Sequence, residues 1–340
     1  MNRIAVLGLG SWGLTLARLL HNKGFEVAGW EFDPQAARQL QECRELKGKL
    51  PGVQLPEGVQ VSTDMSDIVS GTDLIVFAVP SQTMRATCET LKRTEAAQRQ
   101  ILVSVSKGLE QGTLKTMTEV IAEATQLKQP ERLVALSGPS HAEEVSRDIP
   151  TSVVVAGCSE LVTRQVQETF MTERFRIYTN DDLSGVELAA ALKNVIAIAA
   201  GISDGLGFGD NAKAALIARG LSEMMRLGIR MGAKPYTFTG LAGLGDLVAT
   251  CTSRHSRNRN FGELIAKGLS KEQALQRIGM VVEGLETARS ILLLQERCGV
   301  EMPISVEVYR VLLQGKAPGD AVRDLMLRDA KPEMEVQLYQ

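Results

Sequence analysis

Lys193 is the residue whose surroundings speak most directly of chemistry. Its neighbours three and four positions away on either side are Ala189, Ala190, Ile196 and Ala197, all apolar. A solvated lysine on a helix sits among polar residues. Burial disfavours the ammonium and lowers its pKa, and a second cation nearby lowers it further, which yields a general acid/base near neutrality. Lys107, in Ser106-Lys107-Gly108, is the candidate second cation. The competing readings are a lysine that snorkels from the edge of an apolar face and, for Lys107, an ordinary solvated loop lysine.

A second set of residues points to a dinucleotide. Gly8-Leu9-Gly10-Ser11-Trp12-Gly13 follows an apolar run at 4–7 and opens a helical run at 14–20. Glycines at these positions permit a tight turn and close backbone approach, while the helix N-terminus faces a pyrophosphate. The next strand pattern, 26–30, ends at Glu31, eighteen residues after Gly13 and close to the ~20 at which an acid meets the adenosine ribose. A carboxylate there accepts both ribose hydroxyls and repels a 2'-phosphate, so NAD is favoured over NADP. The rival acid, Asp33, precedes Pro34 and is explained as a helix N-cap. A solvated loop carboxylate is the alternative for Glu31 itself.

Ligands of open α/β sheets bind outside the carboxyl ends of the strands, where Val79-Pro80-Ser81, Ser106-Lys107-Gly108 and Ser137-Gly138-Pro139-Ser140 stand. Ser140-His141-Ala142-Glu143 also matches a capping box, which explains Ser140 without a ligand. Further on, Asp246 and Thr250 are four apart and share a helix face. A first-turn carboxylate meeting the helix dipole is the plain reading of Asp246. In 252–260 basic residues interleave with Ser and Asn, without a stacking run of aromatics, which suits one phosphate better than a nucleic-acid strand. Arg257 is the candidate bidentate grip; a solvated basic loop is the alternative.

The elements that must position these residues fall into two kinds. Short apolar runs at 4–7, 26–30, 74–79, 101–105, 133–136, 152–155 and 175–178 alternate with helical stretches, and their unbroken apolar character suits strands covered on both faces. The expected fold class is α/β: a Rossmann-like, doubly wound, mostly parallel sheet in an N-terminal domain, 1–180. Beyond it the periodicity is helical, beginning at a capping-box pattern, Ser184 to Glu187, and breaking at 205–210, 232–236, 252–260 and Pro303. A helical C-terminal domain, 181–340, is expected.

Composition agrees with two globular domains: 340 residues exceed what one core usually serves. With 38 Lys plus Arg against 40 Asp plus Glu, no global field favours nucleic acid or anionic membranes, so any anion site is local. Cys43, Cys88, Cys158, Cys251 and Cys298 are scattered, which argues against a disulfide framework, and His21, His141 and His255 match no metal-ligand spacing. No metal is expected. The most apolar stretch, 186–202, is interrupted by Glu187, Lys193 and Asn194, so no membrane span is expected, and the N-terminus lacks a signal-peptide plan. A cytoplasmic location is the expectation.

Taken together the motifs closely resemble the NAD(P)-dependent glycerol-3-phosphate dehydrogenase family of bacterial type. The resemblance runs almost the whole chain, through GLGSWG at 8–13, SKGLE around Lys107, SGPSHA at 137–142, ALKNV around Lys193-Asn194, GLGDL around Asp246 and SRNRNFG from Ser256. It implies reversible hydride transfer between the nicotinamide and C2 of sn-glycerol 3-phosphate, the oxidised partner being dihydroxyacetone phosphate. It implies Lys193 as the acid/base, with Lys107, Asp246 and Asn194 completing the catalytic group. Substrate would meet Lys107, Gly138, Ser140, Lys193, Asp246 and Thr250, with Ser256, Arg257 and Asn258 on the phosphate side. The dinucleotide would lie along Gly8, Gly10, Ser11, Trp12, Gly13, Glu31, Lys107, Ala142, Arg257, Val281 and Glu283. A homodimer supplying glycerol 3-phosphate for phospholipid synthesis is the family's usual form and role. One departure is Glu31, where many bacterial members carry a basic or neutral residue. The rival assignments are a hydroxyacid dehydrogenase akin to 6-phosphogluconate dehydrogenase, which shares the domain plan, and a non-catalytic dinucleotide sensor. Retention of Lys193, Lys107 and Asp246 together argues against the latter.

Overall fold

The computed structural model describes residues 1–94 and 96–333. By internal contacts the chain forms two compact units: the first is Met1–Glu110 with Lys115–Glu187, and the second is Gln111–Leu114 with the chain from Leu188 onward.

The first unit is built on strands β1 (Arg3–Leu7), β2 (Glu26–Trp30), β3 (Gln60–Ser62), β4 (Leu74–Phe77), β5 (Ile101–Ser104), β6 (Leu133–Ser137), β7 (Thr151–Gly157) and β8 (Phe175–Asn180), in the order β3-β2-β1-β4-β5-β6-β7-β8. Every pairing is parallel except β6 with β7. Helices α1 (Ser11–Asn22), α2 (Pro34–Cys43), α3 (Met65–Val69), α4 (Met84–Lys92), α5 (Met117–Thr125), α6 (Ala142–Val145) and α7 (Glu160–Phe170) complete it. Ile4 and Val6 join one apolar cluster with Leu16 and Leu20, while Ala5 and Leu7 join another with Phe77 and Met84. That alternation is the two-residue period of a strand covered on both faces, and it is why β1 and β4 are unbroken apolar runs. The strand β3 was not expected: at three residues, on the sheet edge, it is too short to show a pattern. The chain leaves β1 for β2 and β3 on one side and returns to β4 on the other, so the switch point lies at the carboxyl ends of β1 and β4, beside the glycine turn.

The second unit comprises most of α8 (Leu183–Gly205), then α9 (Asp210–Arg230), α10 (Pro235–Thr239), α11 (Asp246–Thr252), α12 (Arg257–Ala266), α13 (Lys271–Ile278), α14 (Glu283–Cys298), α15 (Pro303–Gln314) and α16 (Pro318–Met326). The helix α8 corrects one expectation, that of its start. By length and composition it could cross a membrane, despite Glu187, Lys193 and Asn194, but 94% of its most apolar stretch is buried within the chain, as in a core helix. Its start is not the Ser184–Glu187 capping box: Asp182 Oδ1 accepts the Gly185 N–H at 2.9 Å, and Glu187 turns instead to Thr118 at the start of α5. A serine already inside the first turn leaves the capping position to the residue before Leu183.

Candidate active site

In the first unit the candidate cofactor residues present largely backbone. Gly8 has a φ of +93°, a conformation that favours glycine, and its amide donates to the Trp30 carbonyl at 2.9 Å. A Cβ on Gly13 would lie 3.0 Å from the Gly8 carbonyl carbon and closer still to its oxygen, so α1 can pack on the turn only without a side chain there. Gly10, the N-cap of α1, brings no capping side chain, and a Cβ built on it would meet nothing within 4 Å. A glycine turn with an open face at a helix N-terminus is a cradle fit for a pyrophosphate. Ser11 Oγ donates to the Lys49 carbonyl at 2.7 Å, and the Trp12 ring packs against Phe175 with centroids 6.4 Å apart. Glu31 stands at the rim with both oxygens engaged, one accepting the Leu9 amide at 3.0 Å and the other the Asp33 amide at 3.1 Å. Asp33 caps α2 through the Gln35 amide at 2.9 Å, with Pro34 at its first position, as the sequence predicts.

At the ends of β5 and β6, Lys107 Nζ donates to the Gly138 carbonyl at 2.9 Å, and Ser140 Oγ donates to the same oxygen at 3.0 Å. Gly138 has a φ of +141°, and a Cβ there would lie 3.0 Å from Val153 Cα. The Ser140–Glu143 capping box is not formed, because His141 is the N-cap of α6 and the Ser140 hydroxyl is turned back to Gly138. Ala142, the first residue of α6, is buried, and its carbonyl accepts Thr15 Oγ1 at 3.5 Å.

In the second unit the candidate residues are buried side chains. Lys193 Nζ donates to Asp246 Oδ1 and to Thr250 Oγ1, each at 2.6 Å, and the three residues are 4%, 2% and 4% exposed. The Thr250 hydroxyl donates its own proton to the Asp246 carbonyl at 2.6 Å, so its lone pair is turned to the lysine. The snorkelling reading of Lys193 fails on this burial, and the helix-dipole reading of Asp246 is incomplete. Burial and the carboxylate act in opposite senses on the ammonium. A π-helical turn, Leu241–Gly245, runs into α11 and delivers Asp246 to the lysine, a local distortion common at functional sites. Cys251, on the same helix, is a spectator thiol that burial pushes up to about 12.

Asn194 Oδ1 accepts from Asn258 Nδ2 at 3.0 Å, and Asn258 Oδ1 accepts the Gly284 amide at 2.9 Å, which ties α8, α12 and α14 together beside Lys193. The basic stretch is not a loop throughout. Ser256, 3% exposed, caps α12 by accepting the Arg259 amide at 3.2 Å, and Arg257 begins the helix. Arg257 is exposed, and its Nη1 donates to the Val281 carbonyl at 3.1 Å, two residues before Glu283 opens α14. Arg259, in contrast, is held by Asp204, with Nε and Nη2 each 2.6 Å from Oδ2. Thus Lys193, Asp246, Thr250, Asn194 and Asn258 come together in one unit, Arg257 meets Val281 there, and Lys107, Gly138 and Ser140 meet in the other. Sequence reasoning missed Asp204, Arg259 and Gly284. The four-residue spacings Gly201–Gly205 and Gly262–Ala266 were a signal that α8 and α12 approach closely enough to bring them in.

Two family models match the chain, the NAD-dependent glycerol-3-phosphate dehydrogenase N-terminus at residues 3–162 and the C-terminus of the same family at 182–323. The glycerol-3-phosphate dehydrogenase [NAD(P)+] of Pelotomaculum thermopropionicum is 49% identical over 335 residues, covering 98% of this chain and 95% of that one. That of Fusobacterium nucleatum is 47% identical, covering 98% and 99%. The crystal structure of glycerol-3-phosphate dehydrogenase from Coxiella burnetii superposes with a TM-score of 0.91 at 39% identity, covering 96% of this chain and 99% of that one. With both halves matched and relatives this similar along nearly the full length, the chain belongs to the NAD-dependent glycerol-3-phosphate dehydrogenase family.

Proposed function

We propose that the chain catalyses reversible hydride transfer between NAD(P)H and dihydroxyacetone phosphate, giving sn-glycerol 3-phosphate. The observation that carries this reading is the buried trio Lys193, Asp246 and Thr250, with Lys193 Nζ 2.6 Å from each partner. A ketone takes up hydride only as its oxygen takes up a proton. Lys193 Nζ gives that proton in reduction and takes it back in oxidation, Asp246 and Thr250 fix its direction, and Asn194 acts through Asn258. Lys107 stabilises charge on the substrate oxygen, Gly138 and Ser140 line the substrate, and Ser256, Arg257 and Asn258 hold the phosphate. When bound, the nicotinamide supplies or accepts the hydride. Gly8, Gly10, Ser11, Trp12 and Gly13 would hold its pyrophosphate side, with Lys107, Ala142, Arg257, Val281 and Glu283 along the rest. Glu31, its carboxylate pinned between two amides, takes the ribose hydroxyls and sets a preference for NAD.

In this reading 1–180 binds the dinucleotide and 181–340 binds and converts the substrate. The enzyme works without a metal, as a homodimer in the cytoplasm, and supplies glycerol 3-phosphate for phospholipid synthesis. The deciding experiment is loss of reduced-nicotinamide absorbance on adding dihydroxyacetone phosphate to purified protein, with NADH and NADPH in parallel. Turnover favouring NADH is expected. Equal use of NADPH removes the role of Glu31, and turnover with 6-phosphogluconate alone replaces the substrate.

A further inference from the structure

We propose that the glycine-lined crossing of α8 and α12 is a positioning device for the reaction, with Gly201 and Gly262 holding the phosphate-side end of α12 in register with Lys193. The proposal rests on the reaction assigned above, and every residue it uses lies in the second unit.

The two helices meet backbone to backbone. A Cβ on Gly262 would lie 2.9 Å from the Ile198 carbonyl carbon, 3.0 Å from the Ile202 amide nitrogen and closer still to the Ile198 oxygen. A Cβ on Gly201 would lie 2.7 Å from the Arg259 carbonyl carbon and 2.9 Å from the Glu263 amide nitrogen. Gly205 extends the seam, where a Cβ would lie 2.6 Å from that of Ala266. Main-chain neighbours cannot swing aside as a side chain can, so an added methyl separates the helices. Polar bonds lock the same seam at both ends: Arg259 on Asp204 at 2.6 Å, and Asn258 on Asn194 at 3.0 Å.

This geometry gives α12 two faces with different duties. Arg259 and Asn258 bond residues of α8, while Arg257 lies exposed beside them and leads the grip on the phosphate that Ser256 and Asn258 share. Asn194 is the residue after Lys193, so the seam fixes the spacing between the phosphate grip and the proton donor. A shift of roughly 1 Å is enough to cost a catalytic geometry about 100-fold. The loss should depend on the substrate having a phosphate, because a substrate without one does not use that spacing.

The test compares kcat/KM for dihydroxyacetone phosphate and for dihydroxyacetone in wild type, Gly262→Ala and Asp204→Asn, with thermal melts and NADH titrations of each. For Gly262→Ala we expect a roughly 100-fold loss with the phosphorylated substrate, carried mainly by KM, and losses of no more than a few-fold in dihydroxyacetone turnover and in NADH affinity, since Arg257 is one of many dinucleotide contacts. Should Gly262→Ala melt below the assay temperature, Asp204→Asn, which loosens the Arg259 clamp without adding volume, decides by the same split at several-fold size. Equal losses on both substrates, or no loss on the phosphorylated one, overturn the proposal. A wild type that leaves dihydroxyacetone phosphate untouched overturns the assigned reaction instead, a failure visible before any variant is made.

Discussion

The candidate residues of the two units are made of different materials. In the first, the glycine turn at Gly8 to Gly13 and the start of α1 present main-chain groups. In the second, the candidate residues are side chains sealed from water, Lys193, Asp246 and Thr250, brought together from two helices. A backbone site tolerates most side-chain changes nearby but not an added Cβ at its glycines. A side-chain site tolerates neither a lost head group nor a stranded partner. The two should therefore fail in different ways.

The largest expected effect is that of Lys193→Ala. Loss of a general acid/base costs ~10²- to 10⁴-fold, so turnover should fall by about three orders of magnitude while NADH binding, measured by fluorescence titration, holds. Asp246 would be left buried without its cation, a defect of ~3–5 kcal/mol, so the melt should fall as well. Unchanged turnover would remove Lys193 from the reaction, and NADH affinity falling in step with turnover would erase the contrast between the units. Gly13→Ala should do the reverse. Its methyl collides with the Gly8 carbonyl, and overpacking of about 1–3 kcal/mol should weaken NADH binding roughly 10- to 100-fold with kcat at saturating NADH little changed. A variant that binds NADH as wild type does would show that the turn gives under the added methyl.

The contrast also explains what was legible in the sequence. The glycine turn is contiguous, so six residues between a strand and a helix reveal both fold and ligand class. The apolar runs of β1, β4 and β5 announce a sheet covered on both faces, whereas β3, three residues long at the edge, announces nothing. Lys193 was visible because its helix neighbours are apolar, whereas its partner Asp246 was named through the family resemblance and not by any local pattern. Asp246 lies far along the chain and reaches the lysine through a π-helical turn that no periodicity encodes. Local matching also misled twice. Ser140–Glu143 and Ser184–Glu187 fit the capping-box spacing, yet the Ser140 hydroxyl bonds Gly138 and Glu187 bonds Thr118. A four-residue pattern cannot know which tertiary partner will compete for its side chains.

Glu187 sharpens the comparison within a single helix. It lies six residues before Lys193 on α8 and is also buried, but where Lys193 has a carboxylate, Glu187 has the amide of Thr118 at 2.9 Å and the hydroxyl of the same residue. Burial pushes its carboxyl up to about 7, with the Thr118 bonds pulling the other way. The unfolded chain holds this proton only below its ordinary value of 4.5, so between 4.5 and about 7 the folded state binds more protons. Stability from this group is therefore complete below that window and is lost as pH rises through it. At ~1.4 kcal/mol per pKa unit the whole effect is at most about 3.5 kcal/mol. Glu187→Gln should flatten the fall in Tm across the window and melt a few degrees above wild type at pH 8. Parallel Tm profiles for the two proteins would show that the carboxyl stays ionised throughout.

Glu31 is the acidic side chain beside the glycine turn of the first unit, and it gives the smallest expected effect. Its carboxylate is held from both sides, by the Leu9 amide of the glycine turn and by the Asp33 amide at the start of α2. A charge fixed in this way discriminates mainly by what it repels, since a 2'-phosphate brought to it meets an anion that cannot turn away. Glu31→Gln keeps an acceptor for one amide and removes the charge. The ratio of kcat/KM for NADH over NADPH should fall roughly tenfold, about 1.4 kcal/mol, through a gain with NADPH rather than a loss with NADH. A ratio that falls because NADH is lost would mean that the carboxylate works by accepting the ribose hydroxyls. A ratio that does not move would leave cofactor choice to the backbone of the turn, as elsewhere in this unit.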